Sequence, residues 1–265
     1  MNNDLNFICK QTIETSKEAG GFIRENAGKL KQEDISSKSW NNLVTYVDTG
    51  AEEILVNSLS KLLPEAGFIT EEKTIKQEDK ELMWIIDPLD GTTNFIHQLP
   101  CFAVSIGLIQ NKKLILGVVY EINQDECFYA FEGSQAYMNG QEIRVSQSKE
   151  LSSSLIATGF PYDDFSRSDD YMGLLDELTQ SSRGIRRFGS AAVDLAYVAC
   201  GRFDVFFEYG LNPWDIAGGA MVVKQAGGIV SDFNKQEDFL FGEEIIASNS
   251  LIHNSFIEKL QKHFN

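Results

Sequence analysis

The sequence predicts an α+β protein built from two fused halves, and three observations predict it. Two N-terminal segments carry apolar residues at helical spacing. A central stretch alternates short apolar runs with turn residues. From about residue 150 onward, strand-like and helix-like segments take turns. Residues 1–150 therefore read as helices plus an antiparallel sheet, and residues 151–265 as an α/β half. No internal repeat, low-complexity tract or linker separates them, so the halves are expected to pack as one body.

The elements follow in order. Leu5 to Ala27 is an amphipathic helix, and Ile54, Leu55, Leu59, Leu62 and Leu63 mark a second, capped near Asp48 and ended by Pro64. Between them "KLKQEDISSKSWNNLVT" is polar and aperiodic, a loop and a candidate flap. Met83–Asp87 is a short buried strand. "FAVSIGLIQNKKLILGVVYEINQDECFYAFEG" is an antiparallel meander that turns at Asn111-Lys112-Lys113 and Asn123-Gln124-Asp125. "AYMNGQEIRV" continues it through an Asn139-Gly140 hairpin.

In the second half, Leu155–Thr158 is a strand, Asp169–Thr179 a helix, and Ser190–Cys200 an apolar helix stopped by Gly201. Phe203–Glu208 is a strand, Trp214–Ala226 a helix stopped by Gly227-Gly228, and Ile229–Ser231 a strand. Ile252, Phe256 and Leu260 place a closing helix behind Ser250 as its cap.

Composition narrows the chemistry. The chain has 265 residues, 43% hydrophobic and 23% charged, which suits a sizeable core. No stretch approaches the roughly 18 apolar residues of a membrane span, and "MNNDLNFICKQTIE" lacks the features of a secretory signal. Cys9, Cys101, Cys127 and Cys200 form no C-x-x-C pair, so free thiols in a reducing cytoplasm are expected. A formal charge of −16 argues against nucleic acid and anionic membranes as partners. The only histidines are His97, His253 and His263, and none is spaced as a metal pair, so a histidine triad or zinc site is not expected. Carboxylates are left to carry any chemistry.

Three acidic stretches stand out. "ITEEK" puts Glu71-Glu72 after a short apolar run, and "DPLDGTT" puts Asp87 and Asp90 three apart around a proline. "NPWDIAGG" opens an apolar helix with Asp215, and "FFEYG" ends a strand with Glu208 seven residues earlier. Taken singly each has a plain reading: a turn for Asp-Pro-Leu-Asp-Gly, a helix cap for Asp215, a solvated loop acid for Glu71, a turn or ion pair for Glu208. Taken together they could form an oxygen cage for magnesium. In "DGTT", Gly91 permits a tight turn, and Thr92 and Thr93 can open a helix whose N–H groups receive an anion. Divalent cations would then let an acidic cleft hold a phosphate.

Competing motifs fail on specific residues. Leu89 and Gly91 occupy positions where an EF-hand needs oxygen ligands. A haloacid-dehalogenase phosphatase needs its nucleophilic aspartate two residues before the aspartate of D-G-T, where this chain has Pro88. That favours water activated by metal over an aspartate as the nucleophile. No phosphate-binding G-x-x-x-x-G-K-[ST] loop and no G-x-S-x-G elbow is present.

With these residues in view, the sequence resembles the inositol monophosphatase family of lithium-sensitive, magnesium-dependent phosphatases along nearly its whole length. The first motif reads "WIIDPLDGTTNFIHQLP" and the second "NPWDIAGGAMVVKQAGG", with "LVTYVD", "FITEE" and "FGSAAVDLAYVACGRFDVFFEYG" between or before them. The resemblance implies a layered α-β-α-β-α sandwich, a cytoplasmic homodimer, and two or three Mg²⁺ per subunit. It implies Glu71, Asp87, the Leu89 carbonyl, Asp90 and Asp215 as metal ligands, with Asp87 bridging two ions. Glu71, Thr92 and Asp90 would be catalytic, Thr92 orienting a water beside Glu71. Gly91, Thr92 and Thr93 would hold phosphate, while Gly189, Ser190, Ala191, Glu208 and Asp215 would meet the alcohol. The implied reaction is hydrolysis of inositol monophosphate or a similar small polyol phosphate without a phosphoenzyme, inhibited by Li⁺. A 3′(2′),5′-bisphosphate nucleotidase and a fructose 1,6-bisphosphatase are the alternatives within the superfamily, and a non-catalytic phosphosugar-binding protein is the alternative outside catalysis. Two departures accompany the resemblance: Thr70 stands where glycine often precedes the acidic pair, and the flap carries an offset Lys38 and a Trp40.

Overall fold

Two β-sheets, each flanked by helices, stack through a shared middle layer of helices in a computed structural model that describes residues 2–37, 43–78, 80–161 and 164–264. The outer layer is α1 (Asn2–Asn26) and α2 (Tyr46–Leu62), joined through a short hairpin of β1 (Ile35–Ser37) and β2 (Leu43–Thr45). The segment expected to be a loop and candidate flap therefore contains two paired strands. Lys38 and Trp40 lie outside the described residues. Thr45, not Asp48, caps α2: its hydroxyl accepts from Val47 N–H, while Asp48 reaches back to Thr45 N–H at 2.8 Å.

The first sheet has seven strands, β3 (Gly67–Thr70), β4 (Leu82–Asp90), β5 (Ala103–Gln110), β6 (Lys113–Glu121), β7 (Glu126–Phe131), β8 (Ala136–Met138) and β9 (Gln141–Ile143), hydrogen-bonded in that order. The meander turns where the sequence places them, with Asn111, Lys112, Asn139 and Gly140 all at positive φ, as the tight hairpin turns demand. The sheet is antiparallel except at one edge, where β3 runs parallel to β4. β4 also continues past Asp87, through Pro88, to Asp90.

The second sheet joins β10 (Leu155–Thr158), β11 (Gly184–Arg186), β12 (Val205–Tyr209), β13 (Gly228–Ser231) and β14 (Glu244–Asn249) in the order β11-β10-β12-β14-β13. β10, β11 and β12 are parallel, whereas β14 is antiparallel to both neighbours. The sequence reading named neither β11 nor β14. Between the sheets lie α5 (Ala191–Ala199) and α6 (Pro213–Gln225), and α6 packs on β4, β5 and β6 of the first sheet. α4 (Ser168–Ser181) and α7 (His253–Leu260) cover the far face. Asn249 receives the Leu251 and Ile252 N–H groups at the start of α7, in place of the expected Ser250 cap.

The order of layers is α-β-α-β-α. Three apolar cores fill the gaps: around Trp84, Leu55 and Ile23 on the outside, Phe128, Leu195 and Phe206 in the middle, and Phe207, Phe256 and Leu174 on the far side. Every central strand is covered on both faces, which is why β4, β5 and β6 read as continuous apolar runs instead of alternating ones.

Candidate active site

β4 explains how two aspartates three residues apart share one cleft. In a regular strand, positions i and i+3 face opposite sides. Here Asp87 pairs with Ser105 and Asp90 with Ala103, so three steps on β4 match two on β5. That extra residue is a bulge, and a bulge restores both carboxylates to one face. Pro88 falls inside it, where no ladder N–H is required. The parallel edge strand supplies the next acid. Thr70 of β3 pairs with Ile86, and Glu71 N–H bonds the Ile86 carbonyl at 3.3 Å, which sets Glu71 beside Asp87 at the same end of adjacent strands.

After Asp90 the chain turns at Gly91, with φ +97°, into the short helix α3 (Thr92–Ile96). A side chain at Gly91 would meet the Cys101 carbonyl at 3.0 Å and the Gly189 carbonyl at 3.2 Å, so only glycine fits. The Thr92 hydroxyl lies 2.7 Å from Asp48 Oδ1 and 3.0 Å from the Leu89 carbonyl. Both are acceptors, so its single proton is taken and its lone pairs are what it offers the cleft.

The second half closes the other wall. Ser190 caps α5, and Asp90 Oδ2 accepts from Ser190 Oγ at 2.6 Å and Ala192 N–H at 2.7 Å. Asp90 thus fastens the start of α5 to β4. Asp215 stands in the first turn of α6, where its carboxylate accepts from Asn212 N–H at 2.6 Å. As Asp48 does for Thr45 in α2, Asp215 completes a capping box in which Asn212 is the cap residue, and it also lines the cleft. Glu208, 6% exposed, projects from β12 against Gly159, where any side chain would lie within 2.1 Å of its carboxylate.

Glu71, Asp87, Leu89, Asp90, Gly91, Thr92, Thr93, Gly189, Ser190, Ala191, Glu208 and Asp215 all line this one cleft, so the sequence-predicted set converges. Gly159, Arg187, Asp194 and Trp214 also line it and were not predicted. Arg187 lies over the Phe160 ring at 5.8 Å from its centroid. Asp194 is 1% exposed and its Oδ1 has no hydrogen-bond partner among the described residues. The "SAAVDLAY" run that holds it contains a signal, an acid at helical spacing from Ser190 in an otherwise apolar helix.

Electrostatically the cleft is under strain. Burial raises the Asp87 carboxyl well above the carboxylate range, and Glu71, Asp90 and Asp215 push it further. Burial also lifts Asp90 to about 7, against the lowering effect of its bonds to Ser190 and Ala192. Asp215 is raised by burial, then by Asp90 and Glu71; Glu208 by burial, then by Asp215 and Asp90, with Arg187 opposing. Among the described residues, no three acidic, histidine or cysteine side chains close around a single point. Like charge and local donors account for this. Asp87 turns Oδ1 to Leu89 N–H at 2.9 Å and Asp90 turns Oδ2 to α5, leaving each with one oxygen that no described donor takes. A hard-oxygen set of mutually repelling carboxylates, buried or half-buried, fits a small divalent cation and lacks the nitrogen or sulfur donors zinc prefers.

A profile described as the inositol monophosphatase family matches residues 4–265. The protein named Nus factor SuhB from Escherichia coli K12 is 38% identical over 250 residues, covering 94% of each chain. The inositol-1-monophosphatase of Mesorhizobium japonicum is 37% identical over 251 residues, again covering 94% of each. Among solved structures, the extragenic suppressor protein suhB from Bartonella henselae superposes with a TM-score of 0.91 at 39% identity, covering 96% of this chain and 98% of that one.

Proposed function

The chain belongs to the inositol monophosphatase family, and on that premise we propose that it is a Mg²⁺-dependent phosphatase of inositol monophosphate or a closely related small polyol phosphate. The observation that carries the reading is the meeting of Glu71, Asp87, Asp90, Glu208 and Asp215, from four separated segments, in the cleft that also holds the Gly91–Thr93 turn.

Glu71, Asp87, the Leu89 carbonyl, Asp90 and Asp215 would hold the metal. Bound there, Mg²⁺ supplies a more acidic water and offsets the charge of the phosphate. The remaining work belongs to the chain. Thr92, its proton given to Asp48 or Leu89, accepts a hydrogen bond from the attacking water, and Glu71 takes up the proton. The free N–H groups of the first turn of α3 receive phosphate oxygens. Glu208, on its strand, accepts from a hydroxyl of the alcohol. Water oxygen bonds to phosphorus as the bond from phosphorus to the ester oxygen breaks, the ester oxygen takes up a proton from solvent and leaves as the alcohol, and inorganic phosphate is released while Glu71 gives its proton back to solvent. Pro88, where a phosphate-accepting aspartate would stand, supports a route without a phosphoenzyme.

A relative named as a factor and one named as an enzyme are almost equally similar to this chain. What favours the enzyme is the complete set of candidate site residues. The test is a panel of inositol 1-phosphate, adenosine 3′,5′-bisphosphate and fructose 1,6-bisphosphate assayed with Mg²⁺. Fastest turnover of inositol 1-phosphate is expected. A large preference for the nucleotide, or binding without phosphate release, would overturn the proposal.

A further inference from the structure

The buried glutamate on α2, Glu52, has no place in the proposed reaction, yet four donors converge on its carboxylate beside the cleft. It is 0% exposed. Its Oε1 accepts from Thr70 Oγ at 2.9 Å, Thr74 N–H at 2.7 Å and Thr74 Oγ at 2.7 Å, and its Oε2 accepts from Glu72 N–H at 2.8 Å. All four donors belong to the segment 70–74 that presents Glu71.

We propose that Glu52 is the positioning residue for Glu71. The residues on both sides of Glu71 are tied to one carboxylate, Thr70 through its side chain and Glu72 through its backbone. Glu71's own N–H is tied to β4. With the flanking peptide units fixed to a helix and a strand, the direction of the Glu71 side chain into the cleft is set by Glu52. A buried carboxylate also needs its donors, so the loop cannot leave without stranding the charge. Thr70 gains a purpose in this arrangement: glycine at that position offers no hydroxyl, so the threonine adds a tether that a G-E-E sequence lacks.

The inference rests on the functional reading above for Glu71's role, and its test separates the two. Glu52→Gln keeps Oε1 as an acceptor but turns an NH₂ toward Glu72 N–H, donor against donor. In the full chain, amide exchange of Glu72 and Thr74 should accelerate about 10-fold or more as the tether opens. Mg²⁺ affinity by calorimetry should weaken. Turnover should fall about 10- to 100-fold, with KM for inositol 1-phosphate changed by less than about 3-fold, as expected when only the reacting group is misplaced. Thr74→Val, which removes one hydroxyl donor and preserves shape, should give the same pattern at a few-fold size and serves if Glu52→Gln does not fold. Faster amide exchange with wild-type turnover and Mg²⁺ affinity would overturn the proposal, as would a rise in KM at unchanged kcat or no change in any readout. A wild-type protein that releases no phosphate would sink the functional reading alone, since amide exchange and calorimetry still judge the tether.

Discussion

At the scale of single residues, Asp90 concentrates the argument. One of its oxygens accepts from Ser190 Oγ and Ala192 N–H at the start of α5 and the other has no described partner, so the same side chain ties β4 to α5 and lines the cleft. Asp90→Asn can keep the capping oxygen in place and lose only the charge. The variant should melt within a few degrees of wild type, yet turn over inositol 1-phosphate at least about 100-fold more slowly, because charge placed at the reacting centre is removed. Unchanged turnover would take Asp90 out of the site. Glu71, Asp87, Asp90, Glu208 and Asp215 were legible only as a set: each alone has a plain reading, and it is their conjunction within the family's motifs that points to one cleft. Asp194 and Arg187 were not, because a single acid in an apolar helix and one of two adjacent arginines have ordinary explanations until the fold brings them to the cleft wall. Glu52 was invisible for the opposite reason: its partners lie 18 to 22 residues away, as the pairs with Thr70 and Thr74 show, and no local pattern announces them.

At the scale of elements, helices and hairpins were read well, and the errors share a cause. β11 spans three residues and β14 is a short apolar run, so neither has a period long enough to declare itself. Caps carry the same ambiguity: near Asp48 the cap residue of α2 is Thr45, and at α7 Asn249 takes the N–H groups expected of Ser250. The β4 bulge was out of reach, since register depends on β5. One element junction has its own consequence. His253, at the start of α7, is buried between Ser248 Oγ at 2.8 Å and Ser231 Oγ at 3.1 Å, which links α7 to β14 and β13. Burial, with a smaller push from Lys235, holds its pKa at about 4 against the ordinary 6.5. A lowered histidine pKa means the unfolded chain takes up the proton first. Its contribution is therefore complete above the ordinary value and is lost as pH falls from there toward about 4. Denaturant unfolding at about pH 7.5 and about pH 5 should show a smaller loss of stability for His253→Gln than for wild type. Equal losses would show that the ring charges freely in the fold.

At the scale of the whole molecule, a chain of net charge −16 gathers six acids into one cleft, Asp194 among them, and the layered fold is what makes the gathering possible. The parallel edge of the first sheet brings Glu71 beside Asp87, the bulge turns Asp90 to join them, and the middle helix layer delivers Asp215 from the other half of the chain. Each acid is raised or crowded by the others, a state that costs stability unless cations enter. The most direct measurement is phosphate release from inositol 1-phosphate as Mg²⁺ is titrated into metal-stripped protein. Release should be negligible without Mg²⁺ and rise to saturation as the ion is added. Release that persists undiminished in excess chelator, or that never begins at any Mg²⁺ concentration, would contradict the account.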